Sequence, residues 1–230
     1  MRRYLSISLF LAVLTSFAVT ARAEDEKPAS TVEAATPAPA AGGAWSTQGG
    51  EIVPRSQYAG TVGVGYPGLR GMVHIPVLRD FEVDPTFWFL YAHDTTVMAG
   101  DVVSVLLKYR VYHEDRFHIS LAADPGIFLS YYKAFGVGIQ LGLPQLLMTY
   151  NLLPEVDLHF GFKMPISFMV HKAFAAWIPI LFNFGAEYHF NDWINIYGSI
   201  DMGVDLIVAK GGAVTPFFSP NFTVGAAFKF

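Results

Sequence analysis

The sequence predicts an all-β fold: a closed, antiparallel, up-and-down β-barrel that crosses a membrane with ten strands, eight being the alternative. Three observations predict it. The chain is apolar and sparsely charged, with 53% hydrophobic and 15% charged residues, against about 25% charged in soluble proteins. Its apolar residues alternate with period two through 58–230. The alternating segments exceed the about five or six residues of a globular strand and match the ~9–11 of a tilted membrane strand.

Composition narrows the function. A net charge of −4 with scattered Lys and Arg argues against a nucleic-acid partner. Cysteine is absent, so disulfides, thiolate metal sites and cysteine nucleophiles are excluded. The uncharged stretch 134–154 is long enough for a membrane helix, but it carries Pro144, Pro154 and three glycines, which suit a helix poorly.

Taken in chain order, residues 1–23 read as a secretory signal peptide. Arg2 and Arg3 open it, an apolar run follows at 5–19, and Ala21-Arg22-Ala23 forms the small-x-small cleavage site. Residues 24–56 are rich in Ala, Pro, Glu, Ser and Gly and read as a disordered periplasmic tail. The barrel occupies 57–230. Its first strand, 58–66, meets 69–78 through Pro67-Gly68 as a two-residue hairpin, which puts Tyr66 and Leu69 on one apolar face.

Strands 81–91, 103–112 and 117–131 come next, joined by short polar turns at 78–80 and 113–115. Segment 135–143 alternates until Pro144, where a bulge or break is expected. The alternation is clearest in 155–170. Val156, Leu158, Phe160, Phe162, Met164, Ile166, Phe168 and Val170 form one face; Glu155, Asp157, His159, Gly161, Lys163, Pro165, Ser167 and Met169 form the other. Segments 178–190 and 193–208 repeat the pattern, and a last strand reaches the C-terminus.

Alternation suits either a soluble sandwich or a membrane barrel. The polar set is rich in Gly, Ser and Thr and thin in Lys and Glu, which suits a narrow lumen. Longer connections at 92–100, 170–177 and 209–217 oppose short turns at the other end, the pattern of a barrel with both termini on the periplasmic side. Tyr58, Tyr91, Trp177, Tyr188 and Trp193 suit interfacial girdles.

The chain ends Thr223-Val224-Gly225-Ala226-Ala227-Phe228-Lys229-Phe230. This resembles the β-signal of small Gram-negative outer-membrane barrels, with Gly225, Phe228 and Phe230 at the matching positions. The resemblance covers 58–230 and implies export to the outer membrane, contact with outer-membrane lipid and recognition by the barrel assembly machinery. It implies no activity. A monomer is expected.

With the polar parity inward, the half of the lumen near the short turns collects Glu82, Asp84, Lys108, Arg110, His118, Glu155, Asp157, His159, Glu187, His189 and Lys229. These charges are expected to pair as a side-chain plug, because small barrels fill their interior. The other half collects Trp88, Leu90, Leu106, Phe128, Met169 and Leu181, a candidate apolar pocket. Pro165 and Pro179 are expected to interrupt the ladder beside it.

Asp157-x-His159 superficially resembles the Asp–His pair of ten-stranded outer-membrane proteases but lies at the wrong end. His118-Ile119-Ser120 superficially resembles the His-x-Ser of a lipid A deacylase, without that family's next two residues. No catalytic set, cofactor or metal is expected. The expected function is a structural or envelope role; the alternatives are a narrow transport barrel for small or apolar solutes and a lipid-modifying barrel enzyme.

Overall fold

The computed structural model describes residues 45–91, 100–131, 135–169, 175–209 and 214–230. The proposed signal peptide, most of the proposed tail and the tips of the longer loops lie outside the described residues. Thirteen strand segments form one sheet: β1 (Ala59–Tyr66), β2 (Gly68–Leu78), β3 (Phe81–Leu90), β4 (Gly100–Glu114), β5 (Phe117–Ala123), β6 (Gly126–Ser130), β7 (Gly136–Gln140), β8 (Gln145–Leu153), β9 (Val156–Lys163), β10 (Ser167–Met169), β11 (Ala175–His189), β12 (Ile194–Ala209) and β13 (Val214–Lys229). β5 and β6 are two halves of one wall, as are β7 and β8, and β9 and β10. The barrel therefore has ten walls, as the alternation predicts.

The ring closes where β1 pairs antiparallel with β13, from Ala59 opposite Lys229 to Tyr66 opposite Phe222. Both chain ends of the barrel thus share one rim, here the terminal end, with the short turns 79–80, 115–116, 154–155 and 190–193. Side chains obey the predicted parity. Val62, Val64, Phe87, Phe89, Val103, Ile139, Phe182, Phe184, Ile196 and Val224 are exposed on the outside, while Glu82, Asp84, Lys108, Asp157 and Glu187 are buried inside. This inversion of the globular pattern is what a lipid-facing exterior requires.

Three details of the walls correct or refine the sequence reading. Val64 pairs with Leu69, so the first hairpin turns on Tyr66-Pro67, one residue earlier than predicted, and Val64 rather than Tyr66 is the lipid-facing partner of Leu69. Trp177 is not a girdle residue. It lies on the inward parity of β11 and lines the lumen, whereas Tyr58, Tyr91, Tyr188 and Trp193 are exposed.

The expected bulge is present. Gln145 faces Ala122 on one side and Lys163 on the other; Gln140 faces Gly126 and Ser167. Four residues separate Gln140 from Gln145, but three separate their partners on either side, so this wall carries one extra residue. Gly142 absorbs it at φ 63°, a left-handed conformation that glycine adopts without strain. The extra residue switches the outward set from Ile139, Leu141 and Leu143 to Tyr150 and Leu152.

At the same level Pro165 separates β9 from β10, and Pro179 on β11 stands opposite it. On the other side of Pro165, single bonds hold this stretch to the wall of β7 and β8: Leu141 N donates to Ile166 O at 2.8 Å and Met164 N to Pro144 O at 3.0 Å.

Candidate functional site in the lumen

Residues 45–53 lie inside the barrel at its terminal end, beneath the strands. Composition predicts a disordered tail through residue 56; the structure places 45–53 inside instead and leaves Pro54, Arg55 and Ser56 exposed. Trp45, Ser46, Thr47, Gly50, Ile52 and Val53 are all buried. Low apolar content is misleading here, because this segment is held chiefly by polar partners that the strands supply.

Glu187 on β11 is the principal anchor. Its carboxylate accepts from Ser46 Oγ at 2.6 Å, Thr47 N and Thr47 Oγ1 both at 3.2 Å, and Gln48 N at 3.4 Å. Asn195 Nδ2 donates to Glu187 at 3.0 Å and to Trp45 O at 2.7 Å. Thr149 Oγ1 accepts from Gly50 N at 2.9 Å, and Ser120 Oγ donates to Gly50 O at 2.6 Å. Val53 N donates to Glu82 at 2.8 Å.

Gly49 has φ 65° and lies against Thr149 Oγ1 and His159 Nδ1, where a side chain would collide. Trp45 and Val53 pack on Ala59 and Ala227, whose small side chains leave the room. Burying such apolar groups is worth about 1.5–3 kcal/mol each.

The wall charges form two clusters around this segment. In the first, Lys108 Nζ lies 2.7 Å from Glu82 Oε1. His74 Nδ1 lies 3.2 Å from Glu82 and 3.3 Å from Asp84, so that ring nitrogen faces both carboxylates. His74, Glu82 and Asp84 offer ligand atoms within 4.8 Å of one another, but the Lys108 ammonium already supplies a cation there. In the second, His189 Nε2 lies 2.8 Å from Asp157 and His159 Nε2 lies 3.5 Å from Glu187. His118 Nε2 meets Asn151 Oδ1 at 3.0 Å, and Asn151 Nδ2 donates to Asp157 at 2.6 Å and to Glu51 at 3.4 Å.

The predicted ionic residues therefore divide. Glu82, Asp84, Lys108, His118, Asp157, His159, Glu187 and His189 come together. Arg110 sits at the rim, paired with Asp80 at 2.6 Å, and Lys229 stacks its ammonium 5.6 Å over Trp45. Glu155 does not belong: it is exposed in the turn between β8 and β9, because parity gives direction but not depth. His74 is absent from the predicted set, although it lies on the inward parity of β2.

Glu51 lies on the inserted segment rather than on a strand. Burial, reinforced by the nearby negative charge of Asp157, pushes its carboxyl up to about 8.

The loop-end half of the lumen holds a cavity of about 150 Å³. Trp88, Leu90, Leu106 and Leu181 of the predicted apolar set line it; Phe128 and Met169 pack against Leu90 beside it. The inserted segment floors the cavity through Thr47, Gln48 and Gly49, and Pro165 and Pro179 border it at the interrupted wall. At the C-terminus, Phe228 and Phe230 are exposed on the outer face, and Gly225 lies against Tyr197.

No protein-family model matches the chain, and no curated protein matches it. Several solved structures resemble it as barrels. The in-vitro folded outer-membrane protein OmpT of Vibrio cholerae has 13% identity and a TM-score of 0.37 over 78% of this chain. The chain spans under two thirds of that structure, 63% of its length. The outer membrane protease OmpT from Escherichia coli has 9% identity and a TM-score of 0.41 over 76% of this chain and 93% of its own. CarO2 of Acinetobacter baumannii has 9% identity and a TM-score of 0.30 over 76% of this chain and 98% of its own. The chain is a closed, antiparallel, ten-walled β-barrel with an apolar exterior.

Proposed function

We propose that this chain is a monomeric outer-membrane barrel, exported by its leader, that is closed to solutes and serves the integrity of the envelope. The observation that carries this reading is the burial of residues 45–53 in the lumen, bonded to Glu82, Ser120, Thr149, Glu187 and Asn195 around the ring. With the His74–Glu82–Lys108 and Asp157–His189 pairs, this segment fills the terminal half of a bore that ten strands already make narrow. Its partners are outer-membrane lipid, which meets the apolar exterior, and the barrel assembly machinery, which reads Gly225, Phe228 and Phe230.

A non-catalytic role is favoured because, among the described residues, the histidines lie in the terminal half, where His74, His159 and His189 pair with carboxylates, and no nucleophile–base pair lines the loop end. The test is planar-bilayer conductance of the refolded full chain. No steady single-channel current is expected, and removal of residues 45–57 is expected to produce one. Steady current through the intact chain would replace this reading with the transport barrel.

A further inference from the structure

The cavity above the inserted segment has a polarity that closure of the lumen does not explain. Its wall joins an apolar surface, Leu90, Leu106 and Leu181 with the face of Trp88, to one guanidinium, that of Arg70. Arg70 stands opposite Trp88 across β2 and β3 and lies 6.0 Å over its ring. Its Nε is buried without a hydrogen-bond partner, and among the described residues no carboxylate lies within ion-pair distance of it.

The other charges on this wall are spoken for. Lys163 lies 3.1 Å from Asp201, which also accepts from Asn183 at 2.6 Å. Asp124 accepts from Gln140 at 3.1 Å, Lys108 is held by Glu82, and Asp205 is partnered as well. Three further polar atoms on the same wall, Ser104 Oγ, Asn221 Oδ1 and Asp124 Oδ1, are buried without hydrogen-bond partners. Orphaned polar atoms of this kind call for a ligand, an ion or water. A cavity of ~150 Å³ admits a benzene-sized guest.

We propose that the loop-end lumen is a binding site for a small organic anion with an apolar body. The carboxylate meets Arg70, with Ser104 as a second donor, and the body lies on Trp88 and the leucine wall. The charge sets the sign of the ligand, because a guanidinium without a carboxylate recognises an anion. The volume sets its size at a single ring or a short chain. This site does not depend on whether the terminal half conducts.

Benzoate is a suitable probe, titrated calorimetrically into the refolded full chain in detergent, with protein-free micelles as reference. One saturable site is expected, and benzylammonium, of similar size and opposite charge, is expected to bind at least tenfold more weakly. Arg70→Gln is expected to weaken benzoate at least tenfold. Leu181→Phe, which fills the cavity and leaves Arg70 in place, is expected to do the same, and it serves if the Arg70 variant fails to refold. The absence of saturable benzoate binding would mean that the cavity holds only water and would overturn the proposal. So would equal binding of benzylammonium, or benzoate affinity within twofold of the parent in either refolded variant.

Discussion

Replacing Glu187 by alanine removes the acceptor on which the inserted segment converges. Ser46 Oγ, Thr47 N, Thr47 Oγ1 and Gln48 N all point at this one fully buried carboxylate, and the first is the shortest at 2.6 Å. Hydrogen bonds to a charged group contribute about 1.5–3 kcal/mol each. Crediting the Ser46 bond and one Thr47 bond at about 1.5–2 kcal/mol, and the longer ones with nothing, gives about 3–4 kcal/mol. At about 1.4 kcal/mol per tenfold, the undocked fraction rises by about 150- to 700-fold.

Because the chain has no cysteine, Val53→Cys introduces a single thiol at a buried position of the segment. Maleimide labelling of that thiol, in barrels whose folding is verified by heat-modifiable gel migration, reads the undocked fraction. Labelling is expected to accelerate by two to three orders of magnitude in Glu187→Ala and to stay unchanged in Glu155→Ala, whose side chain lies in an exposed turn. A rate within threefold of the parent in Glu187→Ala would refute the argument that Glu187 anchors the segment.

Other perturbations test the remaining interactions. Glu82→Gln leaves the Lys108 ammonium buried beside a neutral amide and is expected to cost about 3–5 kcal/mol, measured as a loss in the thermal midpoint of the refolded barrel; Arg110→Gln, whose partner Asp80 is 39% exposed, is expected to cost under about 1 kcal/mol. The Glu51 carboxyl, raised to about 8 by burial and by Asp157, binds its proton more tightly docked than free. Docking is therefore favoured most below the ordinary glutamate range near 4.5 and weakens as pH rises from there to about 8. Asp157, Glu187 and His189 are the charged neighbours, and Glu51→Gln is expected to flatten the Val53→Cys labelling profile between pH 5 and 9 relative to the parent. Gly142→Ala forces a side chain into a left-handed position against the Asp124 backbone and is expected to destabilise the barrel by about 1–2 kcal/mol, measured as the loss of urea midpoint. Phe230→Ala is expected to lower the yield of folded barrel in the outer membrane without changing refolding in detergent.

The walls were legible because lipid and lumen impose period two on every strand, and the pattern survives without any contact information. Pro144 was legible as a disruption because one extra residue flips the parity of the second half of its wall. The ionic layer was legible only in part. Parity points Glu155 and Asp157 the same way, yet one ends in a turn and the other is fully buried, and that difference is one of depth. His74 escaped because its meaning lies in two carboxylates on the neighbouring strand, which only the register brings together. The inserted segment escaped for another reason: Ser46, Thr47, Gly49 and Gly50 carry little apolar surface, and what orders them is a set of acceptors and donors scattered over 80–195. Composition measures what a segment can bury by itself, not what a prepared cavity can offer it.

That dispersal has a consequence for the order of assembly. The groups that receive residues 45–53 come from β3, β5, β8, β11 and β12, while Ala59 of β1 and Ala227 of β13 meet Trp45 and Val53 at the seam. Their binding surface therefore comes into being only when β1 has met β13, and a barrel with a missing or extra wall would hold the same residues too far apart. Docking of the segment is in that sense a completion check, written into the chain immediately ahead of the strand that closes the ring.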